Sequence, residues 1–138
     1  MKILKKTVVS LLAAVLLMLT ACGSNELPEG MDSDALFAAG RDVMLLLVEG
    51  EYETVHEMLR EDQRALFTAD DIREVVEREL DGAGIYKQIE KHMVTGQKID
   101  GQPYGIAVLY CDFSEEDVLI RISFDAQLQL VGFSLKQD

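Results

Sequence analysis

An α+β domain, with helices first and an antiparallel sheet after them, is the fold class this 138-residue sequence predicts. Three observations carry the expectation. Apolar residues recur at helical spacing between Ala35 and Leu80, with Leu36, Phe37, Val43, Met44, Leu47 and Val48 forming one wide face. Beyond Gly82 and Gly84 the period changes: Val118, Ile120, Ile122 and Phe124 alternate with Leu119, Arg121 and Ser123, as in a half-buried strand. Finally, the hydrophobic share of 49% is too high for disorder, at a length that suits one domain.

The first 21 residues read as an address. Lys2, Lys5 and Lys6 precede an apolar run over residues 8–19, followed by the small residues Thr20 and Ala21. That is the basic, apolar and cleavage-region order of an export signal. A membrane-crossing helix needs about 20 apolar residues, and this run is shorter. Leu19-Thr20-Ala21-Cys22 resembles the lipobox of bacterial lipoproteins. The resemblance implies a diacylglycerol thioether on Cys22, whose thiolate is the strong nucleophile of the site. It also implies cleavage before Cys22, which exposes the Cys22 amine as the new N-terminus, and a palmitate-bearing anchor. Two acyl chains anchor stably where one is marginal, at about 0.8 kcal/mol per buried methylene. The expected location is extracytoplasmic, anchored to the bacterial cell membrane by lipidated Cys22.

Removing residues 1–21 takes away three lysines and no acid. The mature chain then has 117 residues, 10 basic against 25 acidic, and a charge of −15. Residues 22–34 read as the lipidated cysteine and a flexible tether, since 23–30 are turn-rich and unpatterned. At about 3.3 Å per residue, those eight residues reach at most roughly 26 Å.

Asp32, Ser33 and Asp34 supply an N-cap and acids for a first helix over residues 35–49, which Gly50 stops. Residues 51–60 read as a second helix, with Tyr52, Val55, Met58 and Leu59 on one side. Thr68 and Asp71 form a capping box in the broad sense, ahead of Ile72, Val75, Val76 and Leu80 at helical spacing. Strand-like runs follow over 104–113, 118–124 and 128–136, the last with Val131, Phe133 and Leu135 on one face. Asp125-Ala126-Gln127 is short enough to make the last two strands a hairpin. Local pattern leaves 85–99 open: Ile85, Ile89 and His92 fit a helix, while Asp100-Gly101 looks like the turn after a strand.

Several pieces together carry a family resemblance: Gly50-Glu51-Tyr52-Glu53-Thr54-Val55, Phe67-Thr68, Leu80, Gly84-Ile85-Tyr86 and Ile89, Ile122-Ser123-Phe124-Asp125, and Leu130-Val131-Gly132-Phe133. They resemble a domain-of-unknown-function family common in bacterial lipoproteins. The resemblance spans about residues 35–135. It implies a curved antiparallel sheet wrapping the helices in a nuclear transport factor two-like, cystatin-like cone over residues 35–138, with 85–99 as the first strand. Cones of this kind serve isomerases, dehydratases and cyclases, and also binding and dimerisation modules, so the fold alone selects none of them.

The residues themselves narrow the choices. The acidic balance opposes nucleic-acid binding, which needs a basic surface. Two cysteines and two histidines make neither a disulfide framework nor a four-ligand zinc site. His56 lacks the second histidine of a zincin, since Arg60 stands four residues on, and it reads as a surface helical residue. His92, beside Lys91, has no sequence-near partner. Asp112, Glu115, Glu116 and Asp117 lack the alternating spacing and glycine of a calcium loop and read as a solvated turn. Cys111 alternates with Leu109 and Phe113 as a small core residue, and Ser134 lacks the context of a nucleophile elbow. No catalytic residue, metal ligand or cofactor site is therefore assigned.

Tyr86, Tyr104 and Tyr110 fall in the sheet region and are the candidate pocket residues, Tyr86 first because it sits early in the first strand. The expected function is a membrane-tethered module binding a small molecule or a protein. The alternatives are an isomerase- or dehydratase-type enzyme using a buried tyrosine and a carboxylate of raised pKa, or a homodimerisation module using the outer sheet face. A Cys22→Ala chain grown with a clickable fatty acid should lose all label, and retained label would refute the lipid assignment.

Overall fold

A computed structural model describes residues 26–138 as four helices followed by a curved four-stranded antiparallel sheet. The export signal and Cys22 lie outside the described residues. The helices are α1 (Ser33–Glu49), α2 (Tyr52–Met58), α3 (Glu61–Arg64) and α4 (Ala69–Glu79). The strands are β1 (Tyr86–Ile99), β2 (Gln102–Phe113), β3 (Asp117–Asp125) and β4 (Leu130–Gln137), in the order β1-β2-β3-β4. No helix among the described residues is long and apolar enough to cross a membrane.

Local chemistry sets the helix ends. The Asp32 side chain accepts from the Ala35 amide at 3.1 Å, satisfying one of the first-turn donors of α1. At the other end Gly50 adopts φ 82°, a left-handed conformation that an L side chain resists, and its N–H returns to the carbonyls of Leu46 and Leu47. Thr68 and Asp71 cap α4 reciprocally, each side chain accepting from the other's amide. The helix expected over 51–60 ends at Met58: the chain turns extended at Leu59, which pairs with Leu130 at the start of β4, and a separate short helix, α3, follows Arg60.

The core is one layer between α1 and the inner face of the sheet. Leu36, Val43, Met44 and Leu47 from α1 meet Ala107 and Leu109 of β2 and Ile120, Ile122 and Phe124 of β3. Gly40 lets α1 come this close. A Cβ placed on it would lie 2.5 Å from the Cβ of Ala107, well inside contact distance. The alternation expected in β3 holds throughout, with Val118, Ile120, Ile122 and Phe124 all buried.

Bulges interrupt the period elsewhere. In β1 the register slips between Tyr86 and Gln88 and again between Ile89 and Lys91. In β4 the slip sets Leu130 opposite Phe124 and Gly132 opposite Ser123, leaving Val131 as the extra residue. Leu130 therefore takes the buried position that the simple alternation gives to Val131. The last strand also starts two residues later than its apolar run, because the Asp125 side chain accepts from the amides of Gln127 (3.0 Å) and Gln129 (2.9 Å) and holds Leu128 in the left-handed turn at φ 61°. The β1–β2 turn is Asp100-Gly101, with both residues at positive φ as a tight hairpin of this hand requires.

Residues 26–31 lie within the span expected to be tether, yet they are seated on the sheet. The Glu26 carbonyl crosses so near Gly96 that a Cβ there would overlap it, and the Met31 side chain lies against Gly105, the partner of Gly96. Leu27 and Met31 pack on the core from this side.

Gly40→Ala should test the helix–sheet distance. Alanine gains up to about 1 kcal/mol of helix propensity, while overpacking costs about 1–3 kcal/mol. The expected balance is a destabilisation of about 1–2 kcal/mol in urea unfolding, largely recovered by adding Ala107→Gly.

Candidate functional site

With the inner face of the sheet packed, the chemistry-bearing side chains gather on the outer face. On β2 the core residues Ala107, Leu109, Cys111 and Phe113 alternate with Tyr104, Ile106, Val108, Tyr110 and Asp112 on the other face, of which Val108 is itself buried. The second β1 bulge decides what faces Tyr110. Ile89 pairs with Cys111 and Lys91 with Tyr110, so Glu90 is the extra residue. A bulge re-aims side chains, and here both Glu90 and Lys91 reach the outer face. The Lys91 ammonium sits 4.5 Å from the centre of the Tyr110 ring. The Glu90 carboxylate comes within 4.8 Å of those of Asp112 and Asp117.

A groove of about 330 Å³ opens there, its sides formed by Glu90, Lys91, Tyr110, Asp117, Leu119 and Lys136. It has an aromatic and aliphatic floor, two ammonium groups and carboxylates of both strand ends around one opening. Repulsion from Asp112, helped by hydrogen bonding to the same residue, pushes the Glu90 carboxyl above its ordinary range. Glu90, Asp112 and Asp117 are the residues whose carboxylates stand close enough to share a cation, though exposed acidic groups commonly cluster without one.

The three candidate tyrosines occupy three settings. Tyr110 lines the groove. Tyr86 turns to the inner side and meets Phe113 edge-on, ring centres 5.6 Å apart, and burial raises its phenol pKa. Tyr104 lies at the far end of β2, opposite Asp125, with the Arg60 guanidinium 6.0 Å from its ring.

Arg60 organises that far end. It grips Asp62 with two nitrogens at 2.7 and 2.9 Å and reaches Asp125 at 3.3 Å. The guanidinium holds the Asp62 carboxyl down at about 2. Asp125 is the buried charged residue among those described, and all its bonds go to Arg60 and the turn amides.

Both histidines have structural work. His56 Nε2 lies 2.7 Å from the Phe67 carbonyl and fastens the connection between α3 and α4. His92 stacks on Phe37 of α1 with centroids 3.8 Å apart. Cys111 is 1% exposed, and burial together with the Asp112 charge pushes its thiol up to about 12, so it is held protonated as core.

Compared with known proteins, the chain matches a family model described as a protein of unknown function, DUF3887, over residues 41–133. Among solved structures it is similar to the NMR structure of a protein from Ruminococcus gnavus ATCC 29149. The two share 22% identity and a TM-score of 0.70, over 80% of this chain and 96% of the other. That likeness supports the fold. No curated protein matches the sequence.

Because folding raises the Glu90 pKa, the native state binds more protons than the unfolded chain between the ordinary carboxylate value of 4.5 and the raised one. Stability should therefore fall as pH rises through that window. Glu90→Gln removes the repulsion. Its thermal midpoint should exceed that of the parent at pH 7, with the gain vanishing as the pH is lowered below the ordinary carboxylate range.

Proposed function

The chain belongs to the DUF3887 family, a family of unknown function, and from that premise we propose that it is a membrane-tethered extracytoplasmic lipoprotein whose domain, a nuclear transport factor two-like cone, binds a ligand or partner without catalysis. The observation that carries this reading is the filled interior. Leu36, Val43, Met44, Leu47, Leu109, Ile120, Ile122 and Phe124 occupy the space between helix and sheet, where an enzyme of this shape would hold its substrate. Binding is left to the outer groove. Its lining combines the ammonium groups of Lys91 and Lys136 with the carboxylates of Glu90 and Asp117 and with Tyr110 and Leu119. A small zwitterion or a peptide with charges of both signs suits that lining.

An isomerase or dehydratase of the cone type would call for a water-excluded carboxylate of raised pKa beside a tyrosine. Glu90 has the raised pKa but stands in solvent, and its shift comes first from the neighbouring carboxylate of Asp112, with desolvation a lesser cause. Asp125 is buried, but Arg60 and two turn amides occupy its oxygens. Neither has the environment of a general acid.

A homodimer through the outer sheet face is the second reading. It is favoured by Met93, 44% exposed, in register with Val108, and by Ile106 and Leu119 on the same face.

Thermal denaturation with a panel of amino acids and short mixed-charge peptides tests the first reading, since binding to the native state must raise the midpoint. A midpoint rise with some member, lost in Tyr110→Ala and Lys136→Glu, is expected. No rise with any member, together with a light-scattering mass twice that of the chain that Met93→Glu halves, would favour the dimer.

A further inference from the structure

We infer that the β1–β2 hairpin end of the domain is the surface that meets the lipid bilayer, leaving the outer groove at the end remote from the membrane. The inference rests on the reading of Cys22 as the lipidated residue, and adds to it an orientation.

Chain length outside the described part gives the first constraint. Cys22 precedes Glu26 by four residues, at most about 14 Å of extended chain. The place where the chain enters the fold gives the second. Glu26 lies against Gly96, and Met31 against Gly105, its partner in the ladder. Both glycines lie a few residues from the turn Asp100-Gly101. Any side chain on Gly96 would collide with the Glu26 backbone, so the bare strand is itself a seat for the incoming segment. Leu27 and Met31 hold that segment on the core. The tether is thus a few residues long and leaves the fold beside the hairpin, not from a free coil that could swing the domain over.

Strand geometry places the groove. From Gly96 to Glu90 the chain runs six residues along β1, about 20 Å at 3.3 Å per residue. The opposite end, with the turn at Glu115 and Glu116 and with Lys136 of β4, is more remote still. Charge refines the picture. Toward this end lie Glu26, Glu29, Asp32, Asp34, Asp62, Asp100 and Asp125 against Lys98 and Arg60, an acidic excess. Anionic headgroups repel this end, so the hairpin stands over the headgroups rather than inserting into them, and salt should bring it closer.

The test uses the full lipidated chain in floated vesicles containing a headgroup-nitroxide lipid. A fluorophore is placed at Gln102→Cys, beside the hairpin, or at Glu116→Cys, at the remote end. Cys111 is too buried to compete for the label. Quenching at position 102 should exceed that at 116 by at least about threefold. Inserting about 20 Gly/Ser residues after Asn25, a coil of roughly 25 Å r.m.s. length, should abolish the difference. Equal quenching at the two sites, or stronger quenching at 116, overturns the orientation while leaving the anchor intact. A wild-type chain that takes up no fatty acid and stays out of the floated vesicles overturns the anchor, and the orientation with it. The two failures are therefore distinguishable.

Discussion

The separation between α1 and the sheet is the constraint on which the other features depend. Gly40 and Ala107 oppose each other with almost no side chain between them, so the helix axis lies as near the strands as backbone packing permits. At that distance the flanking Leu36, Val43, Met44 and Leu47 are fully buried against the inner face. Apolar burial at about 25 cal/mol per Å² makes this layer the main source of stability. A wider spacing would open the cone and lose part of that term. Filling the interior also confines polar chemistry to the outer face and the sheet ends.

How much of this the sequence reveals depends on whether each signal is local. The caps at Asp32, Gly50 and Thr68 are set by neighbours three or four residues away, and the alternation in β3 is set by the pleat, so both can be read directly. β1 is different. Lys87 and Glu90 are inserted at two bulges, and the inner residues Tyr86, Ile89, His92 and Val94 lose their period of two. A strand with its rhythm broken twice fits a helix locally as well as a strand, and the family resemblance decides for strand. Val131 misleads for the same reason. The groove was less legible still: Glu90 meets Asp112 and Asp117 only through the ladder register, which no local pattern encodes. Tyr110 was visible as a candidate, but its separation from Tyr86 and Tyr104 follows from strand parity.

Two acidic groups show how the same excess of charge is handled differently at the two ends. Asp62 and Asp125 share one guanidinium, bidentate to the exposed Asp62, and the single contact to Asp125 together with two turn amides offsets the desolvation of that buried carboxylate. The pair also joins the α2–α3 connection to the β3–β4 turn. Glu90, Asp112 and Asp117 have no guanidinium at their centre; Lys91 stands beside them but lies over Tyr110. Their mutual repulsion is tolerated because water screens it at the surface. At one end a guanidinium ties two of the carboxylates into the fold, while at the other the carboxylates keep a field that can act on a ligand.

On the proposed anchoring at Cys22 the domain has a near end and a far end, and these coincide with the division just drawn. The hairpin, Gly96, Gly105 and the Arg60 cluster beside Tyr104 lie toward the entry of the chain, where residues 26–31 bind the fold to itself. The groove lies along the same strands in the opposite direction, at the end that the bulge at Glu90 reshapes. For a chain anchored at Cys22, that division is useful only in one sense. Groups facing the bilayer can be structural because they meet little but headgroups, whereas a partially charged groove is most accessible when solvent, and not lipid, is in front of it. Under that proposed anchoring, with residues 1–21 removed and a charge of −15, an anionic surface would push the whole domain outward, which favours the same arrangement. The bulge, the bare glycines and the acidic excess thus act on one geometric variable, the direction in which the outer sheet face is presented.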